Sequence, residues 1–177
     1  MLRSLQRLLA LFREKEIPYM IIGGYVLPFY GRIDTTIDLD LAVAIRTERE
    51  LKQLCLWVES IDFEPRFTSF ENPLILIFDR KEKVEIELWH RPDGIVFDDE
   101  TLKRRRKVKM DSIQTWIISP EDFIVNKLAR SDRGANDEQD VKSVLVRQEG
   151  RLDEEYLRRR AAEAKVVTIL DKIRAAV

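Results

Sequence analysis

The run Gly23-Gly24-Tyr25-Val26-Leu27-Pro28-Phe29-Tyr30-Gly31-Arg32-Ile33-Asp34-Thr35-Thr36-Ile37-Asp38-Leu39-Asp40-Leu41 changes character twice. Immediately before it, Tyr19 to Ile22 is a short apolar run that reads as a buried strand, stopped by the glycine pair. Tyr25 to Tyr30 then reads as a short helix. Pro28 is tolerable there because the first turn of a helix has N–H groups without intrahelical partners, and Gly31 ends it. From Ile33 to Ile45 the apolar positions Ile37, Leu39, Leu41, Val43 and Ile45 alternate with Asp38, Asp40, Ala42 and Ala44, a period of two that predicts a strand. Asp38 and Asp40 therefore leave the same face, about 6.7 Å apart along the backbone.

Working outward, residues 2 to 12 place Leu2, Leu5, Leu8, Leu9 and Phe12 at helical spacing among arginines, an amphipathic helix in place of a signal sequence. Residues 47 to 60 return to helical spacing, with Thr47 as N-cap and Glu50 closing a capping box. Leu74 to Phe78 and Val84 to Trp89 read as two strands joined by the polar turn 79–83, and Trp116-Ile117-Ile118 as a fifth. Ser119-Pro120-Glu121 opens a helix with a cap, a first-turn proline and a first-turn acid. Beyond it, Val141, Val144 and Leu145 mark one helix, and the positions from Leu157 through Leu170 mark another reaching Ile173. The expectation is an α/β protein with a mixed, twisted sheet flanked by helices. Residues 1–118 form its core, and residues 119–177 form a helical subdomain packed on that core.

The chain has 177 residues, the size of one domain. Its 31 Lys plus Arg nearly cancel 32 Asp plus Glu, so no global field draws it to nucleic acid or to an anionic membrane. Cys55 and His90 are the sole members of their types, which excludes a disulfide framework and a zinc site of several Cys and His. The single cysteine fits a reducing, cytoplasmic location. No stretch has the ~20 apolar residues needed to span a bilayer. What remains for chemistry is oxygen. Glu85 and Glu87 repeat the Asp38/Asp40 geometry on another strand, and if the two strands are neighbours the acids crowd one surface, which is costly without a cation. Such a site suits Mg²⁺ or Mn²⁺ completed by substrate phosphates, and the backbone N–H groups at Gly23-Gly24 point to where a triphosphate would sit. The basic run Lys103 to Lys109 offers a local patch for RNA phosphates.

The quoted run resembles the signature of the polymerase-β-like nucleotidyltransferases, in which Gly-Gly or Gly-Ser precedes Arg-x-Thr-x-Asp-Ile-Asp. It resembles most the small stand-alone prokaryotic branch that includes the abortive-infection toxin type. Ser119-Pro120-Glu121-Asp122-Phe123-Ile124-Val125-Asn126-Lys127-Leu128-Ala129 is similar to that family's Pro-Glu-Asp-Leu-Ile-x-x-Lys-Leu, and Asn136-Asp137-Glu138-Gln139-Asp140-Val141 to its Lys-Asp-x-x-Asp-Leu. Asp34 stands where the pattern has Arg, with Arg32 two residues upstream. The resemblance implies a nucleotidyltransferase fold and the transfer of a nucleoside monophosphate from a nucleoside triphosphate to an acceptor hydroxyl. It assigns Asp38, Asp40 and Glu85 to catalysis and to two metal ions, with Glu87 as the alternate third acid. Gly23, Gly24, Arg32 and Thr36 would hold the nucleotide, with Lys127 and Asp137 flanking it. The alternative is a silent relative serving as a binding module, an antitoxin-like partner or a nucleotide sensor. The acceptor (RNA, protein or small molecule) and assembly with a second copy or a partner protein stay open.

Overall fold

The computed structural model describes residues 1–33 and 38–177. A seven-stranded mixed sheet runs in the order β3-β4-β5-β2-β1-β7-β6. Its strands are β1 (Tyr19–Ile22), β2 (Leu39–Val43), β3 (Phe63–Arg66), β4 (Leu74–Asp79), β5 (Val84–Trp89), β6 (Arg106–Met110) and β7 (Ile113–Ile117). The pairs β2/β5 and β1/β7 are parallel, and the other four neighbouring pairs are antiparallel. The helices are α1 (Leu2–Glu14), α2 (Leu27–Tyr30), α3 (Glu48–Glu59), α4 (Asp99–Arg104), α5 (Pro120–Ala129), α6 (Ala135–Arg147), α7 (Glu154–Glu163) and α8 (Val167–Arg174). A 3-10 turn, Gly23–Val26, leads from β1 into α2.

Local chemistry fixes most boundaries. In α3 the Thr47 hydroxyl accepts from Glu50 N–H at 3.2 Å while the Glu50 carboxylate accepts from Thr47 N–H at 3.0 Å, the expected capping box. Ser119 caps α5 by accepting from Asp122 N–H. Three expectations need correction. The strand read from Ile33 to Ile45 is β2 alone: Ile33 is 82% exposed and outside any strand, and Asp34 to Ile37 lie outside the described residues. Among the described residues the sheet has seven strands: β3 carries no apolar alternation to announce it, and in β6 the alternation is confined to Val108 and Met110 within a basic run. The final helix is two, α7 and α8. Lys165 takes a left-handed backbone (φ 60°), with Val166 N–H bonding back to Ala161 O and Lys165 N–H to Ala162 O, a helix terminator usually built on glycine.

α1 and α3 contact one another, and the buried faces of α1 (Leu5, Leu8, Leu9, Phe12) and α3 (Leu51, Leu54, Val58) join the strands in one core. Arg7 crosses from α1 to the end of β4, donating to both oxygens of the fully buried Asp79 at 3.0 and 2.9 Å and to Ile61 O. α5 is buried almost all round, the mark of an interior helix. Its polar groups are each anchored. Asp122 accepts from the Ser119 and Tyr156 hydroxyls, Glu121 accepts from Asp153 N–H, and Asn126 donates to Asp93 O. Two further bonds run through α2: Tyr30 donates to Ile118 O just after β7, and Gln148 at the end of α6 donates to Tyr30 O. Among the described residues, no helix is long and apolar enough to cross a membrane.

Removing one partner of a buried ion pair leaves the other charge uncompensated. Arg7→Met is expected to lower unfolding stability by about 3 kcal/mol, and Thr47→Ala by about 1 kcal/mol. Urea denaturation of both variants checks the ranking.

Candidate functional site

In the parallel ladder between β2 and β5, Leu39, Asp40, Leu41 and Ala42 stand opposite Ile86, Glu87, Leu88 and Trp89. Leu39, Leu41, Ile86 and Leu88 are buried in the core, so Asp40 and Glu87 leave through the other face as immediate neighbours. Their carboxyl groups share a hydrogen bond. Burial, then the charge and hydrogen bond of Glu87, then the charge of Asp38, push the Asp40 carboxyl up to about 7, with Arg130 pulling the other way. Two carboxylates this close are costly to ionise together without a cation, and Asp40 is the one that holds its proton more tightly for it. Asp38 is exposed at the entrance to β2. The indole N–H of Trp89 donates to Glu87 Oε2 at 2.9 Å and orients that carboxylate.

Glu85 is placed differently. It is exposed and ion-paired with Arg66 at 2.9 Å, across the β3–β5 meander. Of the two candidates for the third acid, the register brings Glu87 against Asp40 and gives Glu85 to Arg66.

The acids face a cleft of about 330 Å³. Gly23 forms part of its floor for a steric reason. Its φ is +69°, and a Cβ there would lie 2.1 Å from Asp40 Oδ2. Gly24 follows in the 3-10 turn. The opposite wall comes from α5 and the residues after it: Asn126, Lys127, Arg130 and Asp132. Lys127 is buried and ion-paired with Asp137 at 2.9 Å and Asp140 at 3.0 Å. Despite burial, Gly134 N–H and Lys127 hold the Asp137 carboxyl below its usual range. Asp140 also accepts from Arg32 Nε at 2.9 Å, so one carboxylate ties Arg32 to Lys127. Thr36 lies outside the described residues.

Sequence reasoning missed Arg130 and Trp89 as site groups. Arg130 makes two 2.9 Å hydrogen bonds to Asp132, which is exposed, and its pKa is raised first by that contact and further by the charges of Asp137, Asp132 and Asp40. Its only signal was its position just past the Pro120–Ala129 segment. In the basic run, Arg104 is committed to Asp153 and stacks on Tyr156, Arg105 donates to Tyr19 O and Leu102 O, and Arg106 lies over the Tyr30 ring.

A divalent cation suits this donor set. Its atoms are hard carboxylate oxygens, and the mutual repulsion of the neighbouring Asp40 and Glu87 marks where positive charge is wanted. Among the described residues no three acidic, His or Cys side chains form a ready cage. Substrate phosphates would supply the missing ligands, as Mg²⁺ sites with one or two carboxylates require. Gly23→Ala is expected to lose about 1–2 kcal/mol from its left-handed backbone alone, and more from the contact with Asp40. Combining it with Asp40→Ala should recover the contact part, so a double-mutant cycle by urea denaturation should be non-additive.

Among curated proteins no match to the sequence is found. In fold, the chain is similar to an antigenic nucleotidyltransferase-like protein from Paracoccidioides brasiliensis, with 20% identity and a TM-score of 0.55, covering 97% of this chain and 91% of that one. It is similar to the antibiotic-resistance factor ANT(2'')-Ia at 15% identity and a TM-score of 0.57, covering 98% and 96%. It is also similar to the lincosamide antibiotic adenylyltransferase LnuA in its lincomycin-bound form, at 14% identity and a TM-score of 0.54, covering 80% and 94%. At these identities the likeness is one of fold, the nucleotidyltransferase fold expected from the Gly-Gly and Asp-x-Asp run. The sequence itself goes further: residues 1–174 match the family described as nucleotidyl transferase of unknown function (DUF2204), and the chain belongs to it.

Proposed function

We propose that the protein transfers a nucleoside monophosphate from a nucleoside triphosphate to an acceptor hydroxyl, with Asp38, Asp40 and Glu87 as its acids. The observation that carries the proposal is the convergence of Asp40 and Glu87 on one wall of a cleft whose other wall presents Arg130. Acids that gather cations face a base that gathers phosphates, and a nucleotide bound with its metal supplies both. In the reaction the acceptor oxygen bonds to the α-phosphorus as the bond to the bridging oxygen breaks, and pyrophosphate leaves. Two bound Mg²⁺ or Mn²⁺ ions would supply neutralising charge at the α-phosphate and at the acceptor oxygen.

The chain's own residues divide the work. Asp40 and Glu87 would hold the metal ions, with Asp40 losing its tightly held proton to do so and Asp38 completing the acid set. Trp89 orients Glu87. Gly23 keeps the floor clear of side-chain atoms so that backbone and phosphate can approach, and Gly24 continues that turn. Arg130 takes the phosphates: its present partner is Asp132, whose side chain is 70% exposed, and an exposed pair of this kind is worth only about 0–1 kcal/mol and is readily exchanged. Lys127 is already balanced by Asp137 and Asp140, so it acts with Arg32 as a rigid support that fixes the helical wall, with its charge largely spent.

The transfer assay uses labelled triphosphates with Mg²⁺ or Mn²⁺, and short RNAs, proteins and small hydroxylated compounds as acceptors. Labelled product and released pyrophosphate are expected from the wild type. Glu87→Gln should lose about 10²-fold or more of that transfer, and Glu85→Gln much less. The reverse ranking would return the third-acid role to Glu85. Arg130→Ala should weaken metal-dependent triphosphate binding by roughly tenfold, the scale of one charge-assisted contact. Wild-type binding of nucleotide without transfer to any acceptor class would instead identify a nucleotide-binding module.

A further inference from the structure

One end of β1 opens into the acid cleft at Ile22. The other end, roughly 10 Å away along the strand, opens at Tyr19 into a separate hollow of about 520 Å³ between the C-terminal turn of α1 and the β7/β6 hairpin. The two cavities share no lining residue. Three cations line the hollow, Arg13 from α1 and Arg105 and Lys107 from the start of β6, against a single carboxylate, Glu16. Among the described residues none of the three cations has a carboxylate within ion-pairing distance, although arginines elsewhere in the chain, such as Arg7, Arg66 and Arg160, are paired.

Arg105 is the telling case. It is half-buried, it is held in place by Tyr19 O and Leu102 O, and its guanidinium lies 5.0 Å from the centre of the Trp116 ring, with the Lys107 ammonium 6.0 Å from the same ring. Carbonyl dipoles and an aromatic face orient a cation, yet none of them neutralises it. Burial accordingly lowers the Arg105 pKa, opposed only by Tyr19. The remaining guanidinium N–H groups and the Lys107 ammonium are left for an anion. Leu9, Phe12 and Trp116 supply apolar lining to the same hollow.

We propose that this hollow is a second ligand site, for a free phosphate-bearing small molecule with an apolar or aromatic body of about nucleoside monophosphate size. A volume of this order suits a small ligand. The arrangement of the basic run argues against a polynucleotide. A phosphate backbone is bound by a row of available cations, whereas here Arg104 is committed to Asp153, and Arg105 and Lys107 line one concavity together with Arg13.

The proposal is independent of the transfer reaction and is tested without it. In EDTA, which removes metal-dependent binding at the acid cleft, AMP is titrated calorimetrically into the wild type, Asp40→Asn and the double variant Arg13→Glu/Lys107→Glu. Both substituted cations are exposed, so the double variant should fold, and its melting temperature verifies this. AMP should bind the wild type and Asp40→Asn equally. It should bind the double variant about tenfold or more weakly, and adenosine, which lacks the phosphate, should bind no better than AMP does to that variant. Absence of AMP binding to the wild type at millimolar concentration would overturn the proposal, as would binding undiminished in the double variant. A short single-stranded RNA that binds the wild type more tightly than AMP, with the loss spread over Lys103, Arg106 and Lys109, would replace it with a polynucleotide track.

Discussion

Two carboxylates in directly opposed positions of a parallel ladder are an arrangement that folding by itself disfavours. Asp40 and Glu87 are nevertheless brought together by two strands whose alternate residues, Leu39, Leu41, Ile86 and Leu88, are fully buried. The register that buries those four side chains is the register that opposes the two acids, because a one-residue slip would turn every side chain to the wrong face. Hydrophobic burial thus imposes the electrostatic conflict, and the raised pKa of Asp40 is its consequence. The rest of the site is arranged around that conflict. Gly23 has no side chain because Asp40 already fills the place of one, and Trp89 donates to Glu87.

The same reasoning shows what could be read from the amino-acid order. The strand position of Asp40 was legible because β2 alternates, and the starts of α3 and α5 were legible because Thr47, Glu50, Ser119 and Pro120 are local signals. The choice between Glu85 and Glu87 was not, since both face the same way on one strand, and only the pairing with β2 and the presence of Arg66 on β3 separate them. β3, Phe63-Glu64-Pro65-Arg66, contains a proline tolerable at the edge of a sheet, and β6, Arg106 to Met110, is a basic strand at the other edge. Edge strands contribute one row of hydrogen bonds and little apolar surface, so the pattern that betrays a buried strand is absent from β3 and reduced to Val108 and Met110 in β6. The break between α7 and α8 was hidden because a lysine holds the left-handed position where a glycine would have announced it.

Arg130 stayed hidden for a different reason. It follows the last turn of α5, where a basic residue is unremarkable, and its proximity to Asp40 follows from how α5 is seated on the sheet. That seating depends on polar groups inside an otherwise apolar helix. Asp122 is raised in pKa by burial yet receives hydrogen bonds from Ser119 and Tyr156, and Asn126 reaches the loop after β5 at Asp93. Each of these contacts fixes the rotation of the helix about its axis, which apolar packing alone would specify loosely.

The helical part of the chain is therefore better understood as one wall of the cleft than as an appendage. Asp140 on α6 bonds both Arg32, from the turn that follows α2, and Lys127, from α5, while Asp137 one turn earlier bonds Lys127 and Gly134 N–H. Partly buried ion pairs of this kind gain little net stability, because desolvation offsets the Coulombic attraction, but losing one member leaves a charge stranded and is costly. Their effect is to favour a single placement of α5 and α6 against the turn after α2 and the rest of the cleft over nearby alternatives. A cleft whose acidic wall is set by strand register and whose basic wall is set by such a network keeps a constant width, and constant width is what a site needs if its two walls are to grip opposite ends of one charged ligand.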